Sequence, residues 1–179
     1  VMIALDSKGA VFYRQVRITT YGKEFRIHKF RTMVSNADKI GTQVTVGNDA
    51  RITKIGAVLR KYRLDELPQL LDVLSGDMSF VGTRPEVPRY VAGYTDEMKA
   101  TLLLPAGITS EASIFFKEEA ELLEGVENAD EAYINDILPI KMKYNLEAIE
   151  NFSFLTDIAT MIRTVFAVLG KDFHEKETR

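Results

Sequence analysis

The sequence has no cysteine and only two histidines, His28 and His174. Without cysteine there is no disulfide, no thiolate metal site and no cysteine nucleophile. Two histidines cannot build a multi-histidine zinc centre, so any metal must be held mainly by oxygen. No apolar run reaches the roughly 18 residues of a complete transmembrane helix. Gly22, Gly41 and Gly47 form neither a P-loop nor a dinucleotide fingerprint, which leaves ATP and NAD chemistry without support.

The chain has 179 residues, 46% of them apolar and 27% charged, enough for one compact domain with a buried core. Its net charge of −3 hides an asymmetry. Residues 1–63 carry 13 Lys and Arg against 4 Asp and Glu, and residues 64–179 carry 10 against 22. A basic first third points to an anionic partner: phosphates, lipid headgroups or nucleic acid. The opening Val1-Met2-Ile3-Ala4-Leu5 reads like the tail of a cut apolar segment, so the chain is expected to be a fragment.

Residues 11–18 partly alternate apolar with polar, Tyr21-Gly22-Lys23 reads as a turn, and residues 24–30 alternate again. This predicts a β-hairpin. Residues 35–50, with Gly41, Gly47 and Asn48-Asp49, predict a loop. From Asp49 the pattern turns helical, with Ile52, Ile55, Val58, Leu59 and Tyr62 at three- and four-residue spacing. A second helix starts near Asp65, with Leu67, Leu70, Leu71 and Leu74 expected to face inward and Gly76 as its stop. Residues 77–93 read as a loop, and a helix is predicted over 95–103. The stretch 111–136 carries nine acidic residues and one lysine, and predicts a solvated helical face with a break at Asn128-Ala129-Asp130. Helices follow from Pro139 to about Glu150 and over an apolar stripe from Phe154 to Leu169. The fold class expected is α+β: a helix-rich single domain with one small β-hairpin.

The sharpest local feature is Arg60-Lys61-Tyr62-Arg63-Leu64-Asp65-Glu66-Leu67-Pro68. Asp65 sits where an N-cap belongs, and Pro68 is tolerated in a first turn. A helix N-terminus and nearby arginines favour the ionised carboxylate, so the Asp65 pKa is expected to be lowered. An ionised carboxylate suits attack on phosphorus, and the same positive end attracts phosphate. Glu66 points about 100° away on the helical wheel, so the pair could flank one phosphate with Mg²⁺ between them. The competing reading is an ordinary N-cap with an acidic first turn. Arg84, stiffened by Pro85, suits a two-point phosphate clamp, against a turn arginine paired to Glu86. Lys29 and Arg31 follow the hairpin, either as phosphate binders or as a solvated strand end.

At these residues the chain resembles the bacterial sugar transferases, the monotopic phosphoglycosyl transferases that begin glycan assembly. Several motifs occur in the family's order: Phe12-Tyr13-Arg14-Gln15-Val16-Arg17, Lys29-Phe30-Arg31-Thr32-Met33, Asp49-Ala50-Arg51-Ile52-Thr53, Leu64-Asp65-Glu66-Leu67-Pro68-Gln69-Leu70, Gly76-Asp77-Met78-Ser79-Phe80-Val81-Gly82 and Arg84-Pro85-Glu86. The resemblance runs over about 12–107 and resumes over 144–169. It implies attack by Asp65 on the sugar-linked phosphate of a UDP-sugar, expulsion of UMP, and transfer of the phosphosugar to a polyprenol phosphate. It implies Glu66 as a catalytic residue and Mg²⁺ ligand. It implies Arg60, Arg84 and Pro85 at the phosphate or nucleotide, with Lys29 and Arg31 nearby. Residues 1–179 would then be one catalytic domain, with 1–5 the remnant of a re-entrant membrane helix and 150–170 an amphipathic helix lying among membrane lipids. The site would face the cytoplasm at the inner membrane, and a homodimer is compatible with this picture.

Two departures stand out. Thr83 replaces a common proline, and Pro105-Ala106-Gly107-Ile108-Thr109-Ser110-Glu111-Ala112-Ser113-Ile114 differs from the family's usual stretch, so the sugar's identity does not carry over. The rival functions are an inactive membrane-associated scaffold of the same fold, a metal-dependent phosphatase, and a nucleic-acid binder. The last is disfavoured because Tyr62 is the only aromatic residue over 51–63 and the rest of the chain would repel DNA.

Overall fold

The computed structural model describes residues 1–37, 40, 44–46 and 49–170. Gly41, Gly47 and Asn48 of the expected loop, and His174, lie outside the described residues. A short helix α1 (Met2–Asp6) leads into the antiparallel hairpin β1 (Phe12–Ile18) and β2 (Glu24–Phe30), in register from Phe12 opposite Phe30 to Ile18 opposite Glu24. The turn takes left-handed backbone at Tyr21 and Gly22, as the Tyr-Gly-Lys sequence predicts. Phe25 and Ile27 alternate inward from β2 onto Met78, forming a small core of their own.

Helix α2 (Lys54–Lys61) is capped by Thr53, whose side chain accepts from the Gly56 amide. A Cβ on Gly56 would stand 2.0 Å from the Thr32 carbonyl oxygen, so glycine lets α2 lie directly against the strand exit. Next comes a 3₁₀ turn (Leu64–Gln69) running into α3 (Leu70–Leu74), with Gly76 in the left-handed conformation as the expected stop.

The predicted inward leucines point the other way. Leu67, Leu70, Leu71 and Leu74 are exposed, Leu74 at 84%, while Asp65, Gln69 and Asp72 are buried. The polar face is held from inside: Asp72 accepts from the His28 backbone amide at 2.9 Å and sits 2.6 Å from His28 Nδ1.

Residues 77–93, read as loop, contain a strand β3 (Met78–Val81) and a short helix α4 (Pro88–Val91). Strand β3 pairs in parallel with β4 (Ala106–Thr109), so the fold has a second two-stranded sheet beside the hairpin. Gly107 permits the close approach, since a Cβ there would stand 2.2 Å from the Gly82 nitrogen. Between them, α5 (Asp96–Lys99) and a 3₁₀ turn (Ala100–Leu103) fill the helix predicted over 95–103.

The acidic stretch is a solvated face only in part: Glu118, Glu121, Glu124, Glu127, Glu131 and Asp136 are exposed, while Asp130 is buried and Glu111 and Glu119 are half-buried. It breaks into α6 (Glu111–Phe115), α7 (Glu119–Leu122) and α8 (Ala129–Ala132), then passes through a π-helical segment (Tyr133–Ile137) into α9 (Leu138–Glu150). Phe116, Leu123, Tyr133, Ile137, Leu138 and Met142 join Val87, Tyr90 and Tyr94 in the main core. Its carboxylates lie over apolar residues whose spacing the charge run obscures.

Helix α10 (Phe154–Val168) packs on α6, β3 and β4. Its inward side joins polar contacts to half-buried Ile158, Met161, Phe166 and Val168: Thr160 donates to Glu111 at 2.5 Å and Thr164 meets Thr109 at 2.7 Å. Phe154, Leu155, Ile162, Val165 and Leu169 are exposed. Among the described residues no helix is long and apolar enough to cross a membrane. The architecture is α+β and helix-rich, as expected, with one more sheet than the pattern revealed.

Candidate active site

The end of β2, α2, the 3₁₀ turn and the segment after β3 converge on one cavity of about 720 Å³, a size suited to a small organic ligand. Arg63 takes a left-handed conformation (φ 53°), breaking α2 from the 3₁₀ turn and aiming Asp65 and Glu66 at the cavity. Arg63 also donates to the Lys117 carbonyl at 3.0 Å, fixing the turn to the far wall. Asp65 is therefore not an N-cap; that place belongs to Arg63, and Asp65 is the second residue of the turn.

Glu66 is held between two cations. Lys29 Nζ donates to Oε1 at 3.0 Å, and the Arg84 guanidinium engages both carboxylate oxygens of Glu66, a two-point contact with neither the phosphate nor the Glu86 that the sequence suggested for it. Burial pushes the Glu66 pKa up, but Arg84 and Lys29 outweigh it and hold the group well below its ordinary range. Lys29 is pushed down to about 8, chiefly by burial, against the pull of Glu66.

Asp65 behaves differently. One of its oxygens is buried with no hydrogen-bond partner in the protein. Burial, then the adjacent Glu66 charge, raises its pKa, and Lys29, Arg60 and Arg84 only partly offset them. This reverses the sequence expectation, because desolvation outweighs the nearby cations. Arg60 lines the same cavity with its Nε on the Thr32 hydroxyl at 2.9 Å, a contact that the glycine at 56 makes possible.

Two expected site residues are engaged elsewhere. Arg31 lines the cavity edge, but its guanidinium donates to the Ser7 carbonyl and Ser35 hydroxyl, both at 2.7 Å, and to the Lys8 carbonyl. It ties the residues after α1 to the hairpin. Pro85 is buried behind the cavity, and its carbonyl accepts from Arg17 at 3.0 Å. Arg51 holds a loop: it pairs with Asp49 at 2.6 Å and donates to the carbonyls of Ala37 and Ile40.

Sequence reasoning missed Glu119, Tyr133 and Lys141, which join Glu86 of the Arg84-Pro85-Glu86 motif in a further wall of the cavity. One signal was available: Lys141 lies on the same helix face as Leu138, Met142 and Asn145, all buried, so a lysine at that spacing needed anionic partners. Among the described residues no cluster of three or more His, Cys, Asp or Glu could hold a metal unaided.

A buried carboxylate pair among Lys29, Arg60, Arg63 and Arg84, lining one cavity of a small α+β domain, gives that part of the cavity an excess of positive charge. The family model described as bacterial sugar transferase matches residues 1–171, and the chain belongs to that family. Over 172 residues it is 34% identical to a UDP-N-acetylgalactosamine-undecaprenyl-phosphate N-acetylgalactosaminephosphotransferase of Aeromonas hydrophila, covering 94% of this chain and 38% of the relative. It is 37% identical to a UDP-glucose:undecaprenyl-phosphate glucose-1-phosphate transferase of Escherichia coli, covering 92% of this chain and 34% of the relative. A putative undecaprenyl-phosphate N-acetylgalactosaminyl 1-phosphate transferase of Bacillus subtilis is 42% identical over 98 residues, 55% of each chain. The chain thus spans between about a third and a little over half of these relatives' lengths.

Proposed function

We propose that this chain moves a phosphosugar from a UDP-sugar to a polyprenol phosphate through a covalent aspartyl intermediate. The carrying observation is the contrast between adjacent carboxylates: Glu66 neutralised by Arg84 and Lys29, Asp65 buried with an oxygen free of partners. A poorly solvated, more basic carboxylate is the better nucleophile. In the first step an Asp65 oxygen bonds to the sugar-linked phosphorus, and the bond to the bridging oxygen breaks so that UMP leaves with that oxygen. In the second step an oxygen of polyprenol phosphate bonds to the same phosphorus and the aspartyl bond breaks, restoring the carboxylate. Lys29, Arg60, Arg63 and Arg84 stabilise the charge that builds on the diphosphate. The names of the relatives, which pair UDP-sugars with undecaprenyl phosphate, support both substrates.

Mg²⁺ commonly takes one or two carboxylates and completes its shell with phosphate oxygens and water. The unpartnered oxygen of Asp65 fits that donor set, and Glu66 would join it by sharing a carboxylate already engaged by Arg84 and Lys29. Mg²⁺ bound there would neutralise diphosphate charge.

The outward apolar residues of 64–74 and α10 support a seat on the headgroup layer of the cytoplasmic membrane, where a polyprenol phosphate offers its phosphate. The test is UMP release from a panel of UDP-sugars with Mg²⁺ and polyprenol phosphate, together with the intact mass of the protein after donor alone. Release, and an added phosphosugar mass lost in Asp65→Asn, is the expected result. A well-folded chain that releases no UMP from any donor would instead be a scaffold, and free sugar phosphate as product would mark a phosphatase.

A further inference from the structure

The cavity has two chemically different ends. The end around Asp65 is cationic, and the opposite wall comes from the acidic stretch and α9, where Glu119, Tyr133 and Lys141 meet Glu86 and Phe116. Lys141 is only 5% exposed, and its ammonium lies 2.8 Å from Glu119 Oε2, 3.0 Å from the Tyr133 hydroxyl and 3.8 Å from Glu86 Oε1. Tyr133 in turn donates to Glu86. The donors of this wall are thus turned toward its own carboxylates and hold them in place. Glu119 is the most exposed member, at 28%, and it lines the cavity.

We infer that Glu119, seated by Lys141 and Tyr133, is a specificity-determining residue that accepts hydrogen bonds from the hydroxyls of the donor's sugar, and that this sugar is neutral rather than a uronic acid. The inference rests on the transferase reading above and extends it to the sugar. A fixed carboxylate is a strong acceptor for hydroxyl donors. Phe116 adds an apolar ring to the same wall, suited to the C–H face of a pyranose. The wall is also held at a set distance from the reacting centre. Arg63, which opens the Asp65 turn, donates to the carbonyl of Lys117, two residues before Glu119. Arg84, clamped on Glu66, lies within electrostatic reach of both Glu119 and Glu86. A sugar whose phosphate sits at Asp65 therefore lies against this wall. A uronate would bring a third carboxylate toward Glu86 and Glu119, whose cations, Lys141 between the two and Arg17 at 3.8 Å from Glu86, are already engaged with them, and like charges in such a site repel strongly.

The test uses UMP release by the chain with UDP-hexoses, UDP-N-acetylhexosamines and UDP-hexuronic acids, and the inhibition constant of UDP, which lacks the sugar. Expected are release from a neutral donor, at least about tenfold lower kcat/KM with the uronates, and a loss of about tenfold with the neutral donor in Glu119→Gln. The UDP inhibition constant should stay within about twofold, which a merely structural role would not produce. Preference for a uronate by the unmodified chain overturns the inference without any variant. So does an equal loss for UDP and UDP-sugar in Glu119→Gln, or no loss at all. If the unmodified chain releases no UMP from any donor, the transferase reading itself fails. If it releases UMP but Glu119→Gln changes nothing, only the assignment of Glu119 fails.

Discussion

The segment 64–74 and helix α9 both pack against the protein, yet they differ in whether large apolar side chains go inside. In α9 the apolar Leu138 and Met142 go inside, and the one buried cation, Lys141, is surrounded by Glu119, Glu86 and Tyr133. In 64–74 the buried residues include Asp65, Gln69 and Asp72, and the leucines face out. Helix α10 follows the second pattern, with Thr160 inside and Phe154, Leu155 and Val165 outside. A hydrophobic stripe reports helical period, but not which side is the interior. In α9 the stripe meets a protein core. In the other two, polar residues such as Asp72 and Thr160 are buried on the protein side beside a few half-buried apolar ones, and the large apolar side chains are left for another medium.

The largest effect that would break this contrast lies at Asp65. If the inward polar face of 64–74 is there for chemistry rather than stability, removing its charge should cost activity and relieve the fold. Asp65→Asn should lower UMP release by at least about 10³-fold, the scale seen when a covalent nucleophile is removed. The sign for stability follows from the raised pKa. The fold prefers the protonated form, so Asp65 favours folding below its ordinary value, and that contribution is lost as pH rises through the raised folded value. Above both values the ionised group therefore weighs against folding. Urea denaturation at pH 7 should find Asp65→Asn at least as stable as the parent. Marked destabilisation would show that the carboxylate is structural.

A smaller effect separates the two helices directly. Met142 is almost fully buried in the main core, so Met142→Ala should cost about 2–5 kcal/mol in a denaturant titration. Leu71 is half exposed, and Leu71→Ser should stay within about 0.5 kcal/mol. Combined Leu67→Ser, Leu71→Ser and Leu74→Ser should nevertheless weaken sedimentation with anionic lipid vesicles. Unchanged vesicle binding with intact stability would leave the outward leucines without a membrane role.

How much of this was legible in the sequence follows the same divide. The hairpin was legible, because alternation and Tyr21-Gly22-Lys23 are local signals, and so were the helices over 138–150 and 154–168. The parallel pair β3–β4 was not, since each strand is four residues long and its partner is remote in sequence. Asp65, Glu66, Arg84, Arg60 and Lys29 were placed together by motif, and they do meet. Arg31 was grouped with Lys29 by adjacency, but it stands beyond the end of β2, where the chain turns toward the carbonyls after α1. Glu119, Tyr133 and Lys141 were hidden because they are joined by a buried ammonium across 22 residues of chain, inside a charge run that resembles a solvated surface.

The smallest of the expected effects tests whether the cationic end works as a unit. Lys29 carries a pKa depressed to about 8, mainly by burial, so in the free protein it loses its charge as pH rises through that value. Glu66, held well below its usual range, and Arg84, held above its own, keep their charges across the same interval. The profile of kcat/KM against pH reports groups of the free protein. It should therefore fall on the alkaline side with an apparent pKa near 8, about tenfold for each further pH unit, if Lys29 must be charged to receive the diphosphate. Lys29→Arg retains a cation that stays charged throughout this interval, so it should move that limb upward by more than one unit, even where the planar guanidinium fits Glu66 less well and lowers the plateau. A limb that stays near 8 in Lys29→Arg would assign it to another group and reduce Lys29 to a structural partner of Glu66. A limb that moves would show that the ammonium serves both the carboxylate beside the nucleophile and the incoming phosphate. That double role is what an inward polar face provides and an apolar one cannot.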